Sequence, residues 1–237
     1  RERLAEGDHG LPSHAVDLAN EYYECTLFAA IASYSAGTPI EQLGERVRAI
    51  LPARQALAEA IATMPERHQT AGRRYWAISG RGTVAGEPML TRYQLALWWL
   101  ALAVGTGQPH EHVAQVCALI DNAGADALLD HIRHRLGHGE PPATQSLAFP
   151  ELYTPLLQAI AAPAEAQSAL VNQFLHHWYQ GSEDTAWYGN HERDGDFGFW
   201  DCYFGYWCLE AALVVRAFAI DDSAFRDHPH YPADLVR

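Results

Sequence analysis

The apolar and polar positions of the chain fall into amphipathic and fully apolar stretches with helical spacing, and alternation of period two is nowhere sustained. From Phe197 to Ile220 only Gly198, Asp201, Gly205, Glu210 and Arg216 interrupt the apolar and aromatic residues, which predicts a central helix oily on nearly every side. Gly198, Asp201, Gly205, Ala212 and Arg216 would share one stripe on that helix, where small side chains let a neighbour approach. The stretch is long enough to span a membrane, but it holds three charges, each costing about 2.5 to 3.5 kcal/mol near a helix centre, and a span is excluded. Beyond it, Ser223, Pro229 and Pro232 break the helix, while Phe225, Tyr231 and Leu235 give a wrapping tail its apolar points.

Taken in order, Leu18, Tyr22, Cys25, Ala29 and Ala32 recur at helical intervals between Leu11 and Gly37, and Gly37 is placed to end that helix. Thr38, Pro39 and Glu41 form a capping-box pattern for a second helix through Leu43, Val47, Ile50 and Leu51, kinked or divided at Pro52 and continuing to Met64. From Pro65 to Pro88 the pattern lapses into a Gly-containing loop whose Arg67, Arg73, Arg74 and Arg81 are expected to pair with carboxylates of the body. Helices follow at 90–104, 109–120, 125–136, 150–161 and 163–179. The expected fold is all-α, a compact bundle of about eight or nine helices around an aromatic-rich helix near 197–220. A division into helical regions 1–123 and 124–237, packed as one unit, is expected.

Composition sharpens this. The 237 residues are 49% apolar, enough for a sizeable core. All 16 basic residues are arginine, and 29 carboxylates leave a formal charge of −13, a field that repels nucleic acid and steers a basic partner inward. Cys25, Cys117, Cys202 and Cys208 have no paired spacing and are expected as buried thiols in a reducing cytoplasm. No secretory signal is visible from Arg1 onward, which has no methionine before it; a cytoplasmic protein is expected, and residues upstream are expected to be missing.

Candidate chemistry is sparse. His131, His134 and His138 could present three imidazoles to a zinc ion, but the helix ends near Gly137, which puts His138 beyond it and favours a solvated face. His110 and His112, two apart, point to different faces; His176 and His177 suit an interface or polar core. Asp221-Asp222 resembles the start of an aspartate-rich magnesium-binding motif, but Phe225 stands where a third acid belongs, so capping or pairing with arginine is expected. Glu210, inside an aromatic helix, requires an arginine or a tyrosine hydroxyl from another helix. No Ser-His-Asp spacing or phosphate-cradling loop is present. No metal or cofactor is expected. The alternative enzyme reading is a metal-dependent hydrolase or lyase using Asp221, Asp222, His228 and His230.

One resemblance covers most of the chain. Trp178-Tyr179, Trp187, His191, Tyr203, Gly205-Tyr206-Trp207, Glu210-Ala211-Ala212, Asp221-Asp222-Ser223 and Tyr231-Pro232-Ala233-Asp234-Leu235 stand in the order of the C-terminal half of the PoNi family, immunity proteins paired with the PoNe nuclease effectors that bacteria deliver into rivals. Gly124–Asp130 is similar to another of its blocks, and Tyr22-Tyr23 and Tyr34–Leu43 resemble its N-terminal half more weakly. The resemblance implies an antitoxin, not an enzyme, that binds a cognate DNase toxin in an interbacterial contest such as type VI secretion, without nucleic acid or membrane as partner. Its blocks are mostly core aromatics. The toxin-facing acids are therefore expected in the polar segment joining two helices: Glu183, Asp184, Glu192, Asp194 and Asp196, with only Arg193 against them.

Overall fold

A helix buried on every face lies at the centre of the molecule: from Thr91 to Ala103 each residue of Leu90–Gly105 is shielded from water. The computed structural model describes residues 14–75, 89–120, 123–192 and 202–236, and no strand occurs among them. The α-helices in order are α1 (His14–Ser35), α2 (Ile40–Arg48), α3 (Ile50–Ala62), α4 (Glu66–Tyr75), α5 (Leu90–Gly105), α6 (His110–Leu119), α7 (Ala127–Arg135), α8 (Pro150–Ala161), α9 (Ala164–Trp178) and α10 (Leu209–Phe218). Short 3-10 turns occupy Gln180–Ser182, Asn190–Glu192 and Ala233–Val236. None of these helices is long and apolar enough to cross a membrane.

The second all-round apolar helix is α10, which packs on α5, while α1 packs on α3 and α8 on α9. One continuous buried cluster runs from Tyr23 on α1 to Leu235 in the tail, so residues on both sides of position 124 share a core. A smaller cluster of Val16, Leu57, Ile61 and Met64 lies under α1 and α3.

The helix α10 is shorter than the apolar run that predicts it, and the centre of the molecule is α5. Residues 202–208 are not helical, and the rest of the run before them lies outside the described residues. Gly205 has φ +101°, a conformation foreign to an α-helix, and a side chain there would strike Ser35 Oγ. The polar groups of this segment find distant partners instead of the carbonyl four residues back. Ser35 Oγ donates to Phe204 O (2.5 Å), Asn190 Nδ2 to Cys202 O (2.9 Å), and Cys208 N–H to His230 O (2.8 Å). Phe204 stacks on Phe28 with centroids 4.4 Å apart. The single stripe drawn through Gly205, Ala212 and Arg216 therefore does not exist; Gly198 and Asp201 lie outside the described residues.

Further details differ from the pattern of the sequence. Leu18, Tyr22, Cys25 and Ala29 do share a face of α1, but it is the exposed one, and the helix buries Val16, Tyr23, Leu27, Ile31 and Tyr34. Thr38 does not cap α2: its N–H bonds Ser33 O (3.0 Å) to close the end of α1 around Gly37, and Pro39 takes the N-cap place. The stretch after Pro65 contains α4, where Arg67 Nε donates to His68 and Arg73 Nη2 to Gln69 Oε1, local neighbours and not carboxylates of the body. Of the cysteines, Cys117 and Cys208 are buried and Cys25 and Cys202 exposed; all four are free thiols.

The end of α5 repeats the end of α1. Gln108 N–H bonds Ala103 O (3.0 Å) around Gly107 (φ +66°) just as Thr38 does around Gly37 (φ +78°). Pro39 and Pro109 then start the next helices with the same backbone, φ −54° and ψ 142° or 148°. The backbone of the two connections thus recurs, although the side chains do not.

Candidate protein interface

The site grows outward from α10. Its first turn carries Glu210, fully buried, whose Oε1 accepts the Tyr153 hydroxyl (3.0 Å) from α8 and the Trp178 indole N–H (3.1 Å) from α9. This is the tyrosine partner that the sequence requires. Burial pushes the carboxyl up to about 7, against the pull of its own backbone N–H and of the Trp178, Trp98 and Tyr153 donors. Glu210 Oε2 and Trp98 Nε1 make no hydrogen bond of normal geometry, so the indole helps the carboxylate only through its dipole. Nothing here resembles a poised acid facing a cavity; the group holds three helices together.

From Trp178 a chain of rings leads to the surface. Trp178 stacks on Trp187 (5.4 Å), Trp187 meets Tyr206 (5.7 Å), and Tyr206 meets Tyr203 edge-on (5.0 Å). Tyr179 adjoins Tyr206 (4.9 Å) and Tyr188 (4.6 Å) beside them. Offset and edge-to-face rings of this kind add roughly 0.5 to 1.5 kcal/mol each beyond the area they bury. Trp178 and Trp187 are inaccessible to water, whereas Tyr203 is 58% exposed.

The polar segment between α9 and α10 is fixed to the body from beneath. Gln94, completely buried on α5, accepts Trp187 Nε1–H (2.9 Å) through Oε1 and donates to Ser182 Oγ (2.9 Å) through Nε2. Ser182 Oγ donates to Trp178 O (2.8 Å), and Thr91 Oγ1 accepts Ala186 N–H (3.1 Å). At the far end the Tyr206 hydroxyl donates to Asn190 Oδ1 (2.9 Å) and accepts the His191 backbone N–H (3.2 Å). Because its one proton is spent on Asn190, the 2.7 Å contact with His191 Nδ1 needs the proton on that nitrogen.

On this framework Glu183, Asp184 and Glu192 stand exposed, as the sequence reading requires of a docking edge; Asp194 and Asp196 lie outside the described residues. Glu183 accepts from Gln180 (2.9 Å), and Glu192 lies 3.4 Å from His191 Nε2. Sequence reasoning missed Gln94, Ser182 and Ser35, each a polar residue whose partner lies far along the chain. Ser35 Oγ also accepts the Trp207 indole N–H (2.7 Å).

The remaining candidates are occupied structurally. Asp222 binds Arg226 through both oxygens (2.8 and 2.7 Å) and accepts the Tyr231 hydroxyl (3.1 Å). Asp221 caps the following turn through Ser223 N–H (3.0 Å) and Oγ–H (2.9 Å), which holds its carboxyl below the usual range. His230 Nδ1 faces Tyr206 O (3.0 Å) rather than Asp221 or Asp222, and burial lowers His228, beside His176 and His230. The imidazoles 131, 134 and 138 do not converge: His134 Nδ1 meets Gly139 O (3.1 Å) and His138 packs against His110, its ring tilted 44° at 4.0 Å. The exposed His176 and His177 rings turn back onto Asn172 O and Gln173 O (2.8 Å each). Among the described residues no three His, Cys, Asp or Glu side chains gather as metal ligands.

The start of the C-terminal region is also built on a carboxylate. Asp126 caps α7 through Leu129 N–H (2.9 Å), binds the Tyr93 hydroxyl (2.9 Å) and Ala148 N–H (2.8 Å), and Asp130 holds Gly124 N–H (2.9 Å). From Gly124 to Leu235 the chain matches the family model of PoNe immunity proteins (PoNi), C-terminal. The match covers just under half of the chain and includes the whole aromatic ladder. Neither a curated protein nor a solved structure matches.

Proposed function

We propose, on the premise that residues 124–235 are the C-terminal region of a PoNe immunity protein, that this protein binds a cognate PoNe-type DNase and neutralises it in the cell that makes both. The family match carries the reading, and the surface supports it. A nuclease must present arginine and lysine where DNA phosphates sit. Glu183, Asp184 and Glu192 offer that surface carboxylates, and Tyr203 offers a ring that loses little entropy when covered. Asp194 and Asp196 extend the same acidic run in sequence. The protein acts by occupancy, one inhibitor to one toxin, with no cofactor and no turnover.

Co-expression with the cognate nuclease restores growth under this reading, and mixing the purified proteins abolishes DNA cleavage at a one-to-one ratio. Undiminished cleavage at excess inhibitor would overturn it.

A further inference from the structure

Water reaches three large apolar side chains among the described residues: Leu18 and Tyr22 on α1, and Tyr203 at the outer end of the ladder. Leu18, Tyr22, Cys25 and Ala29 follow one another at spacings of four, three and four, so they form one row along α1, and each is exposed. The opposite face of the helix buries Tyr23, Leu27, Ile31 and Tyr34. Helix α1 is therefore apolar on its water side as well as on its core side, although packing in this fold requires only the second. Residues 202–207 lie along α1: Phe204 stacks on Phe28 (4.4 Å), and Trp207 Nε1 donates to Ser35 Oγ (2.7 Å). The Cys25 thiol is pushed up by burial first and then by Glu24, Glu21 and Cys202, so the two exposed thiols lie within electrostatic reach of each other. The row on α1 thus continues into Cys202 and Tyr203, and Tyr203 approaches His191 (6.2 Å), the neighbour of Glu192 on the acidic edge.

Contiguous exposed apolar surface marks a contact surface, and charge decides what covers this one. Helix α1 bears Asp17 and exposed Glu21, has neither lysine nor arginine, and holds His14 as its one ionisable base. Two copies joined through this face would bring their acids together at a formal −13 each. An anionic lipid surface is repelled in the same way, since a helix that lies on a membrane carries lysine or arginine on its polar side. A basic protein whose apolar side chains are ringed by arginine or lysine has the complementary pattern, apolar at the centre and charged at the rim.

We infer that the exposed row of α1 is the apolar half of the toxin-docking surface, covered by apolar side chains of the basic nuclease, with Tyr203 joining it to the acidic edge. The occupant rests on the proposed function; the apolar face and its continuity with the edge rest on the structure. The docking surface then spans both sides of position 124, because α1 lies outside the residues 124–235 that match the family model.

The exposed thiols read this face in place. Cys25 and Cys202 are exposed and Cys117 and Cys208 buried, so iodoacetamide should label the first two in the free protein. Excess purified cognate nuclease should slow labelling of Cys25, followed by peptide mass spectrometry, by about ten-fold or more. Leu18→Ser combined with Tyr22→Ser should weaken binding to the nuclease in titration calorimetry by about ten-fold or more, with a melting temperature within about two degrees of the parent. Cys25 labelled as fast in the complex as alone, or a double variant that binds as the parent does, overturns the inference while leaving toxin neutralisation intact. A dimer of the parent in sedimentation equilibrium that the same two substitutions dissolve assigns the face to a second copy and also overturns it. A parent protein that fails to bind the nuclease removes the proposed function, and this occupant with it.

Discussion

Glu210 and the acids of the edge lie at opposite ends of one aromatic ladder, and the two ends obey different physics. At the inner end a carboxylate is stripped of water and held by Tyr153 and Trp178, so its charge is a cost that the surrounding donors only partly offset. At the outer end Glu183, Asp184 and Glu192 keep their hydration, and their charge acts at long range on whatever approaches. Between them Trp178, Trp187 and Tyr206 pass from buried to half-buried, and Tyr203 ends the series in solvent. The same residue types thus meet opposite electrostatic conditions inside and outside, and burial decides which.

The largest expected effect belongs to the inner end. The Glu210 carboxyl titrates at about 7 in the folded protein against 4.5 as its ordinary value, so between those pH values the folded state holds more protons than the unfolded chain. Stability from this group is therefore complete below pH 4.5 and is lost as pH rises through 7, a fall on the order of 3 kcal/mol. Glu24, buried on α1 and also pushed up to about 7 by burial, adds a fall of the same sign. Denaturant unfolding from pH 4.5 to 8 should show the decline, and Glu210→Gln should flatten part of it, since an amide oxygen can still accept from Tyr153 and Trp178. Glu210→Ala should instead destabilise at every pH by about 2 to 4 kcal/mol, having orphaned both donors and left a void. A pH profile identical in Glu210→Gln and the parent would place the titrating group elsewhere.

Tyr203 probes the outer end, with the comparison reversed. Its ring is more than half exposed and, among the described residues, meets Tyr206 edge-on and approaches His191 at 6.2 Å. Tyr203→Ala should leave unfolding free energy within about 0.5 kcal/mol of the parent and weaken toxin binding by about ten-fold or more, the behaviour of an aromatic anchor. Loss of stability with binding unchanged would make the residue part of the fold and not of the interface.

The helical fold was legible because its signals are local: spacing, glycine at helix ends and proline at helix starts place α5 to α9 within a residue or two of where they lie. Glu210 and Asp222 were legible in another way, since a carboxylate in apolar surroundings or at a helix C-terminus demands a partner whatever the fold. What was not legible depends on distance along the chain. The aromatic run before Leu209 suits a buried helix and a buried extended segment equally. The choice is made by Ser35, Asn190 and His230, whose bonds to residues 202–208 no local pattern announces. The buried face of α1 could not be told from the exposed one by spacing, because Leu18, Tyr22, Cys25 and Ala29 keep helical intervals as faithfully as Tyr23, Leu27 and Ile31. Of the edge, the acids could be named from polarity, but the tyrosines beside them could not be told from core.

The smallest effect at equilibrium, and the most diagnostic in kinetics, comes from reversing the edge charges. Glu183, Asp184 and Glu192 are exposed, so replacing all three by arginine removes no buried contact and should leave the melting temperature within about two degrees of the parent. Rim charges of this kind act on the encounter more than on the finished complex. Stopped-flow association with the cognate nuclease should therefore slow by about ten-fold at low salt, with the two proteins converging as ionic strength shortens the Debye length to about 8 Å at 0.15 M and below that at higher salt. The dissociation rate should change far less, in contrast to Tyr203→Ala, which should act chiefly on dissociation. If charge reversal leaves association and its salt dependence untouched while Tyr203→Ala still weakens binding, the ring contacts the toxin but the acids do not steer it. If both leave binding untouched, the docking surface lies elsewhere on the molecule and the ladder's outer end is merely where the core meets water.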